Sequence, residues 1–193
     1  ASLQASTKLA AELAGSFENL LVLGIGGSSL GSRALFGALC HPLHNLLPKA
    51  ERRGMRLFFP DNSDPTTFSA LLGTIDLAQT AWVTISKSGG TAETMSQHLV
   101  LRERVLRAHG EAGYRQRCAM ITDPEKGALR QIATEEQLRT LSVPASVGGR
   151  FSVLSAVGLL PAACAGMDAA ALLAGALAME TRCRSPSPKE NPA

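Results

Sequence analysis

The sequence predicts an α/β domain in which a doubly wound parallel sheet of about five strands lies between two layers of helices. Short continuous apolar runs, such as 19–23, are typical of strands that are buried on both faces of a sheet. These runs alternate with stretches of helical length and spacing along most of the chain. Two of the runs also end in turns rich in glycine and serine that open helix-like sequence. Together these observations favour a flavodoxin-like fold with three α/β/α layers.

The predicted strands and helices follow one another in a regular order. The strands share continuous apolar or β-branched residues and are expected at 19–23, 56–59, 80–85, 117–122 and 138–143. Most helices share an apolar side and are expected at 29–40, 91–109, 127–133 and, with breaks near Pro161 and Gly166, over 151–183. A further helix is expected to begin at Asp64 and Pro65, because aspartate is favoured as an N-cap and proline at the first helical position.

The composition excludes several classes of protein. The 193 residues suffice for one domain with a substantial core, and 45% hydrophobic with 18% charged residues predict a globular chain rather than a disordered one. The net charge of +3 comes without a dense basic run, so no nucleic-acid partner is predicted. One group of arginines, interrupted by Glu103, is interpreted as a solvated helix face: Arg102, Arg104 and Arg107.

The cysteines and the apolar runs point to a cytoplasmic protein. The four cysteines lie far apart and form no C-x-x-C pair, as is typical of free thiols in a reducing compartment: Cys40, Cys118, Cys164 and Cys183. No apolar run approaches the ~20 residues of a membrane span, and the start of the chain lacks the features of a signal peptide. No membrane partner is therefore predicted. Because the chain begins at Ala1 rather than at a methionine, it is expected to be a piece of a longer protein.

Two strand-to-helix turns, 24–31 and 86–91, are the strongest candidates for a binding site. A helix N-terminus presents free N–H groups at the positive end of the helix dipole, which suits an anion. The turns follow the first and third predicted strands. In the strand order 2-1-3-4-5 these two strands are neighbours, and ligands bind beyond their carboxyl ends. The sequence therefore predicts one site for the phosphate of a small polar ligand.

The first turn has two other interpretations. Gly24, Gly26 and Ser29 half match the dinucleotide fingerprint G-x-G-x-x-G, so a nucleotide cofactor is one alternative. The acidic residue that ends the second strand, Asp61, lies 37 positions after Gly24 rather than the roughly 20 that the fingerprint expects. A tight turn without any ligand is the other alternative.

The second turn is the more specific signal. The hydroxyls of Ser86, Ser88 and Thr91 can all donate to a phosphate. Lys87 either adds positive charge there or points to solvent, and Thr91 is alternatively a plain N-cap. Glu93 falls in the first turn of the following helix, where an acid is favoured by the dipole.

A third segment places one arginine after two glycines. Arg150 follows Gly148 and Gly149 at the end of the fifth predicted strand. A buried arginine in this position is expected to face a substrate anion or a developing negative charge, with a structural ion pair as the alternative. No metal site is predicted, because His41 and His44 flank a proline and have no third ligand nearby. No Ser-His-Asp site is predicted either.

These three segments together resemble the sugar isomerase (SIS) domain and, more closely, the glucose-6-phosphate isomerase family. The resemblance covers about 18–165, and Ser88 stands where the family usually has threonine. It implies that the phosphate of glucose 6-phosphate or fructose 6-phosphate is bound by one group of residues: Gly27, Ser28, Ser86, Lys87, Ser88, Gly89, Gly90 and Thr91. It also implies that Arg150 stabilises a cis-enediolate and that no cofactor is needed.

The resemblance further implies that the chain is one part of a two-subdomain enzyme of glycolysis and gluconeogenesis. Residues 1–17 are expected to form an N-terminal helix or linker, and 166–193 a helical extension and linker toward a second SIS subdomain. The family's general-base glutamate and ring-opening histidine lie downstream of the Gly-Gly-Arg segment, and no matching motif is present here. The chain alone is therefore expected to have little isomerase activity, and its apolar helices over 153–179 predict a partner surface, such as that of a homodimer. The alternative function is a non-catalytic SIS domain that senses a sugar phosphate.

Overall fold

The computed structural model describes residues 2–192, so Ala1 and Ala193, the outermost residues of the predicted terminal segments, lie outside it. One parallel sheet has the order β2-β1-β3-β4-β5, with strands β1 (Asn19–Leu23), β2 (Arg56–Phe58), β3 (Thr80–Ser86), β4 (Cys118–Thr122) and β5 (Arg139–Ser142). The α-helices are α1 (Ser2–Ser16), α2 (Leu30–Leu39), α3 (Pro65–Thr74), α4 (Ala92–Arg117), α5 (Ala128–Glu135), α6 (Ala156–Cys164) and α7 (Ala169–Cys183). This is the predicted flavodoxin-like order, and the fold class is confirmed.

Helices cover both faces of the sheet, and each face has its own hydrophobic core. Side chains alternate between the faces along each strand. Val22 and Val83 face the layer that contains α1 and α6, where Leu13 and Leu160 are fully buried. The opposite core contains residues of β1, β3 and β4 together with α3, α4 and α5: Leu21, Trp82, Met120, Phe68, Leu101 and Leu129. The sheet is therefore a rigid platform for the loops at its two edges.

Helix α1 belongs to the core of this domain. Leu9, Ala10 and Leu13 are buried in the same cluster as residues of β1 and β3. The backbone N–H of Phe17 then closes the helix on the Leu13 carbonyl, and β1 follows at once. The first helix therefore adds apolar burial to the face of the sheet that α6 also covers.

The predicted helix end near His109 coincides with a break in α4. The backbone of Gly110, with φ of +64°, is not helical, and a second helical segment that the sequence analysis missed then runs to Arg117.

The predicted break near Pro161 was wrong, because this proline lies inside α6. Proline cannot donate to the carbonyl four residues earlier, that of Val157. The Ser32 hydroxyl donates to this carbonyl at 2.9 Å instead, so the helix continues without an unpaired buried group.

The chain breaks instead between α6 and α7, close to the predicted break at Gly166. Gly166 has φ of +80°, and α7 restarts at the N-cap Asp168, whose carboxylate accepts from the N–H groups of Ala170 and Ala171. Ala169 is the one buried residue among those described in α7, and Leu177 is 65% exposed. Within residues 2–192, no helix combines the length and the apolar character that a membrane span requires.

Candidate functional site

The two predicted turns lie side by side at the carboxyl edge of the sheet. Strands β1 and β3 are direct neighbours, and Leu23 pairs with Thr84. Gly24, which opens the first turn, is so close to β3 that an added Cβ would lie 3.2 Å from the Ile85 carbonyl oxygen. The two turns therefore border one crevice, as the sequence predicted.

The turn after β3, residues 86–91, is built around the hydroxyl of Ser86. The Ser86 Oγ lies 2.9 Å from Thr91 Oγ1 and 3.3 Å from Ser88 Oγ, and it accepts the Gly89 N–H at 3.2 Å. Gly89 has φ of +72° and packs against Gly127, a conformation and a closeness that favour glycine. Ser86 is buried and Ser88 is exposed. The three hydroxyls thus form one cluster that opens to solvent.

Helix α4 starts beside this cluster without a side-chain cap. Thr91 occupies the N-cap position, but its hydroxyl contacts Ser86 and accepts no N–H of the first turn. The helices α3 and α7 are different, because Asp64 and Asp168 each accept two N–H groups there. The interpretation of Thr91 as a plain N-cap was therefore wrong. The positive end of α4 is available to an anion.

The turn after β1 is more closed than the sequence predicted. The N–H of Ser28 donates to the Ile25 carbonyl at 3.2 Å, and that of Ser29 to the Gly26 carbonyl at 3.0 Å. Gly27 and Ser28 are half-buried, so both can still reach a ligand in the crevice. The turn after β3 closes a similar bond, from the Gly89 N–H to the Ser86 carbonyl at 3.2 Å, and α2 starts without a side-chain cap, as α4 does.

The segment that contains Arg150 packs directly on Gly27. Residues Gly149–Leu154 form a 3-10 helix. A Cβ added at Gly27 would collide with the Gly149 carbonyl and lie 2.8 Å from the Arg150 nitrogen. The Ser152 hydroxyl lies 2.7 Å from the Gly149 carbonyl oxygen. The absence of a side chain at Gly27 therefore allows the Arg150 backbone to reach the crevice.

Arg150 itself is exposed, and its side chain makes no hydrogen bond or ion pair with another residue of the described 2–192. The prediction that it is buried was wrong, and the alternative of a structural ion pair finds no partner among these residues. Its guanidinium is free to turn toward a bound anion.

Lys87 has a role that neither sequence interpretation included. Its Nζ lies 2.8 Å from the Ala145 carbonyl oxygen and 2.7 Å from that of Val147, so the side chain does not simply point to solvent. These carbonyls belong to the loop between β5 and the Gly149–Leu154 segment. Lys87 thus joins the turn after β3 to the loop that carries Arg150.

The comparison with known proteins agrees with this geometry. Residues 5–193 match the family described as Phosphoglucose isomerase. The chain belongs to this family. The glucose-6-phosphate isomerase of Rubrobacter xylanophilus is 52% identical over 177 residues, which are 91% of this chain and 40% of that protein. The one from Carboxydothermus hydrogenoformans is 43% identical over 96% of this chain and 40% of its own length.

Solved structures give the same picture. The crystal structure of a glucose-6-phosphate isomerase from Chlamydia trachomatis matches with a TM-score of 0.79 and 28% identity, over 97% of this chain and 35% of that one. The chain spans about 40% of the length of the curated phosphoglucose isomerase relatives above.

The chain also has a buried polar network between β3, α4 and α5 that the sequence analysis missed. His98, fully buried on α4, lies 3.0 Å from Thr84 Oγ1 through Nδ1 and 3.4 Å from the Tyr114 hydroxyl through Nε2. Tyr114 donates to Glu136 at 2.7 Å, and Arg102 donates to the same carboxylate at 2.9 Å. Arg102 is therefore not simply part of a solvated face. The helical spacing of His98 and Arg102 was the available signal, but their partners come from β3 and from the end of α5.

The network holds His98 in its neutral form. Burial lowers the pKa of His98 from 6.5 to about 4, although the Glu136 carboxylate acts in the opposite direction. Burial likewise raises the pKa of the Tyr114 hydroxyl. Thr84 lies two residues before Ser86 on β3. The network therefore connects β3, which ends at the crevice, with α4, which begins there.

Other candidate residues from the sequence analysis have partners within the protein. His44 is buried against the Phe36 ring, 3.0 Å from the Met55 carbonyl oxygen, and belongs to the core. Asp61 pairs with Arg33. Across residues 2–192, no three histidine, cysteine, aspartate or glutamate side chains group as metal ligands would. A cavity of about 890 Å³ lies at the opposite edge of the sheet, between α7 and the loop after α2.

Proposed function

We propose that this chain forms the phosphate-binding part of a glucose-6-phosphate isomerase, which interconverts glucose 6-phosphate and fructose 6-phosphate in glycolysis and gluconeogenesis. The observation that carries this proposal is the pairing of an uncapped helix with three clustered hydroxyls at the end of β3. A carboxylate at the N-cap would accept the N–H groups in the first turn of α4. Because no such carboxylate is present at Thr91, these groups suit an external anion.

The phosphate is proposed to bind where the cluster meets the first turn of α4. Hydroxyls of Ser86, Ser88 and Thr91 exchange their mutual hydrogen bonds for charge-assisted bonds to phosphate oxygens. The Gly90 N–H and the α4 dipole add further positive potential, and the Gly89 N–H, which donates to Ser86, keeps the Ser86 hydroxyl in place. Gly27 and Ser28 approach the same group from the turn after β1, and Lys87 contributes its backbone and a nearby positive charge.

Arg150 is proposed to act on the reacting carbons rather than on the phosphate. When a proton moves from C2 to C1, negative charge develops on the oxygens of a cis-enediolate. A guanidinium that is unpaired within residues 2–192 and belongs to the segment packed on Gly27 stabilises this charge more than it stabilises the uncharged sugar carbons, which lowers the barrier. Proton transfer itself needs a positioned base, which we place outside this chain. No cofactor is required for this chemistry.

The site is tested by measuring binding to the whole chain. We expect inorganic phosphate, fructose 6-phosphate and 6-phosphogluconate to raise the melting temperature, and fructose without phosphate to leave it unchanged. A ligand at 100 times its Kd stabilises the folded state by about 2.7 kcal/mol. Ser86→Ala and Thr91→Val should weaken phosphate binding by roughly tenfold or more each, because each removes a charge-assisted hydrogen bond.

Thr74→Val serves as the matched control, since Thr74 is an exposed threonine of α3 whose hydroxyl donates to the Ala70 carbonyl of the same helix. Stabilisation by NAD without any response to phosphate would favour the nucleotide-cofactor alternative and overturn the proposal.

The remaining parts of the proposal concern the whole protein. We propose that the chain works together with a second SIS subdomain, that the assembled enzyme forms a homodimer in the cytoplasm, and that the chain alone has little isomerase activity. Residues 18–165 then act as the sugar-phosphate domain, with α1 packed into its core, and 166–193 as its extension toward the second subdomain. A coupled assay that detects normal turnover by this chain alone would contradict the predicted division of labour.

A further inference from the structure

The side chain of Lys87 spans two loops that are far apart in the sequence. Its backbone lies in the turn between Ser86 and Ser88. Its Nζ donates to the carbonyls of Ala145 and Val147, which are 58 and 60 residues away. No carboxylate of residues 2–192 forms an ion pair with this ammonium, so two carbonyl oxygens are its partners.

We infer that Lys87 is a positioning residue that holds the loop before Arg150 against the phosphate-binding turn. The role assigned to Lys87 rests on the function proposed above. The bonds from its ammonium to the Ala145 and Val147 carbonyls do not depend on that function. Bonds from a charged donor are stronger than neutral ones, and the side chain is half-buried, which limits competition by water.

The loop is held from both sides. The N–H of Val147 closes a turn on the Pro144 carbonyl at 3.0 Å, and this turn directs the Ala145 and Val147 carbonyls to the same ammonium. Three residues after Val147, the backbone of Arg150 packs against Gly27. With Lys87 at one end and Gly27 at the other, the position of the Arg150 backbone depends on both turns of the crevice.

This arrangement couples phosphate binding to the placement of Arg150. An anion bound by Ser86 and Ser88 restricts the backbone of the residue between them. The restricted Lys87 then restricts the loop that its ammonium holds. Occupation of one subsite thereby orders the segment whose guanidinium acts at the other.

Hydrogen exchange of the whole chain tests this inference. The N–H groups of Val147 and Phe151 report on the loop, because they bond to the Pro144 and Gly148 carbonyls. Without ligand, Lys87→Met should speed their exchange by about tenfold, since local opening no longer breaks two charge-assisted bonds. Lys87→Gln keeps a neutral donor, so it should also speed the exchange of these two N–H groups, but by a smaller factor.

Lys126→Met is the matched control. Lys126 is exposed at the same edge of the sheet. The backbone N–H groups of Glu125 and Lys126 are the main cause of the lowered pKa of Asp123, and the charges of Lys126 and Lys87 both add to it. The control therefore removes the same charge from the same neighbourhood without touching the loop. Equal exchange at Val147 and Phe151 in Lys87→Met and Lys126→Met would overturn the inference.

Inorganic phosphate then tests the coupling. In the unsubstituted chain it should slow exchange at Gly89 and Gly90 and also at Val147 and Phe151. In Lys87→Met it should still protect the glycines but no longer the loop. Faster loop exchange on adding phosphate would mean that the ammonium leaves its carbonyls for the ligand, which contradicts the inference. A lack of any response to phosphate would contradict the proposed function, and the phosphate-free comparison would still decide the role of Lys87.

Discussion

The hydroxyl oxygens of Ser86 and Thr91 lie 2.9 Å apart, and this contact leaves helix α4 without a side-chain cap. A hydroxyl that could stabilise its own helix is instead directed to the end of the neighbouring strand. Helix α4 is therefore less stable than a capped helix would be, but its first-turn N–H groups are available to an anion. Such a loss of stability is common at binding sites.

A better cap should stabilise the protein and remove its ligand. We expect Thr91→Asp to raise the free energy of unfolding by about 0.5–1 kcal/mol, because aspartate accepts first-turn N–H groups and its charge complements the dipole. The same carboxylate repels phosphate, so binding should fall below detection. Thermal unfolding and phosphate titration of this variant provide the test. Tighter phosphate binding would show that the N-terminus of α4 is not the site.

The hydrogen bond from Ser32 to the Val157 carbonyl should contribute to stability, because Pro161 has no N–H to donate to that carbonyl. Ser32→Ala leaves that buried carbonyl unpaired and should cost about 1–3 kcal/mol of stability. Adding Pro161→Ala supplies a backbone N–H for the same carbonyl. The double variant should therefore lose less stability than the sum of the single changes. Strict additivity in denaturant unfolding would contradict this account of the proline inside α6.

Close backbone approach makes Gly27 intolerant of a side chain. Gly27→Ala places a Cβ against the Gly149 carbonyl and should cost about 1–3 kcal/mol, since overpacking forces the backbone to shift. Gly37→Ala in α2 is the control, because a Cβ there meets nothing within 4 Å. This control should gain about 0.5–1 kcal/mol from improved helix propensity. Equal melting temperatures for the two variants would contradict the predicted contact.

Neutral His98 should make the protein sensitive to acid. Its pKa is about 4 in the folded state, against 6.5 for the free side chain. Between these values the unfolded chain binds more protons, so stability is complete above pH 6.5 and falls as the pH drops toward 4, by about 3 kcal/mol in total. His98→Gln should flatten this part of the stability–pH curve.

His109→Gln is the control for the acid effect, because His109 lies on the same helix and is only half-buried. It should reproduce the pH dependence of the unsubstituted chain. A curve for His98→Gln that matches the unsubstituted protein between pH 4 and 6.5 would show that the buried network does not exclude protons.

Features that depend on local chemistry could be predicted from the sequence. Asp64 and Pro65 start α3 as expected, the apolar runs predicted the strands, and the flavodoxin-like fold that their alternation with helices favours has the observed strand order. The predicted site residues remain proposals, although the turns that carry them lie together. The missed features depend on distant partners: the Ser32 hydroxyl that keeps α6 continuous past Pro161, the carbonyls that bind Lys87, and the residues that surround His98. A pattern along the chain does not contain such contacts.

Trp82, the single tryptophan of the chain, sits inside the core four residues before Ser86, with its ring 6.5 Å from that of His98. The chain thus carries one indole fluorophore, placed on the strand that leads to the crevice. Its emission should shift to longer wavelength when the core admits water and should dim when the neighbouring imidazole gains a proton. One optical signal from an unlabelled sample would then follow both unfolding and acidification at the same spot.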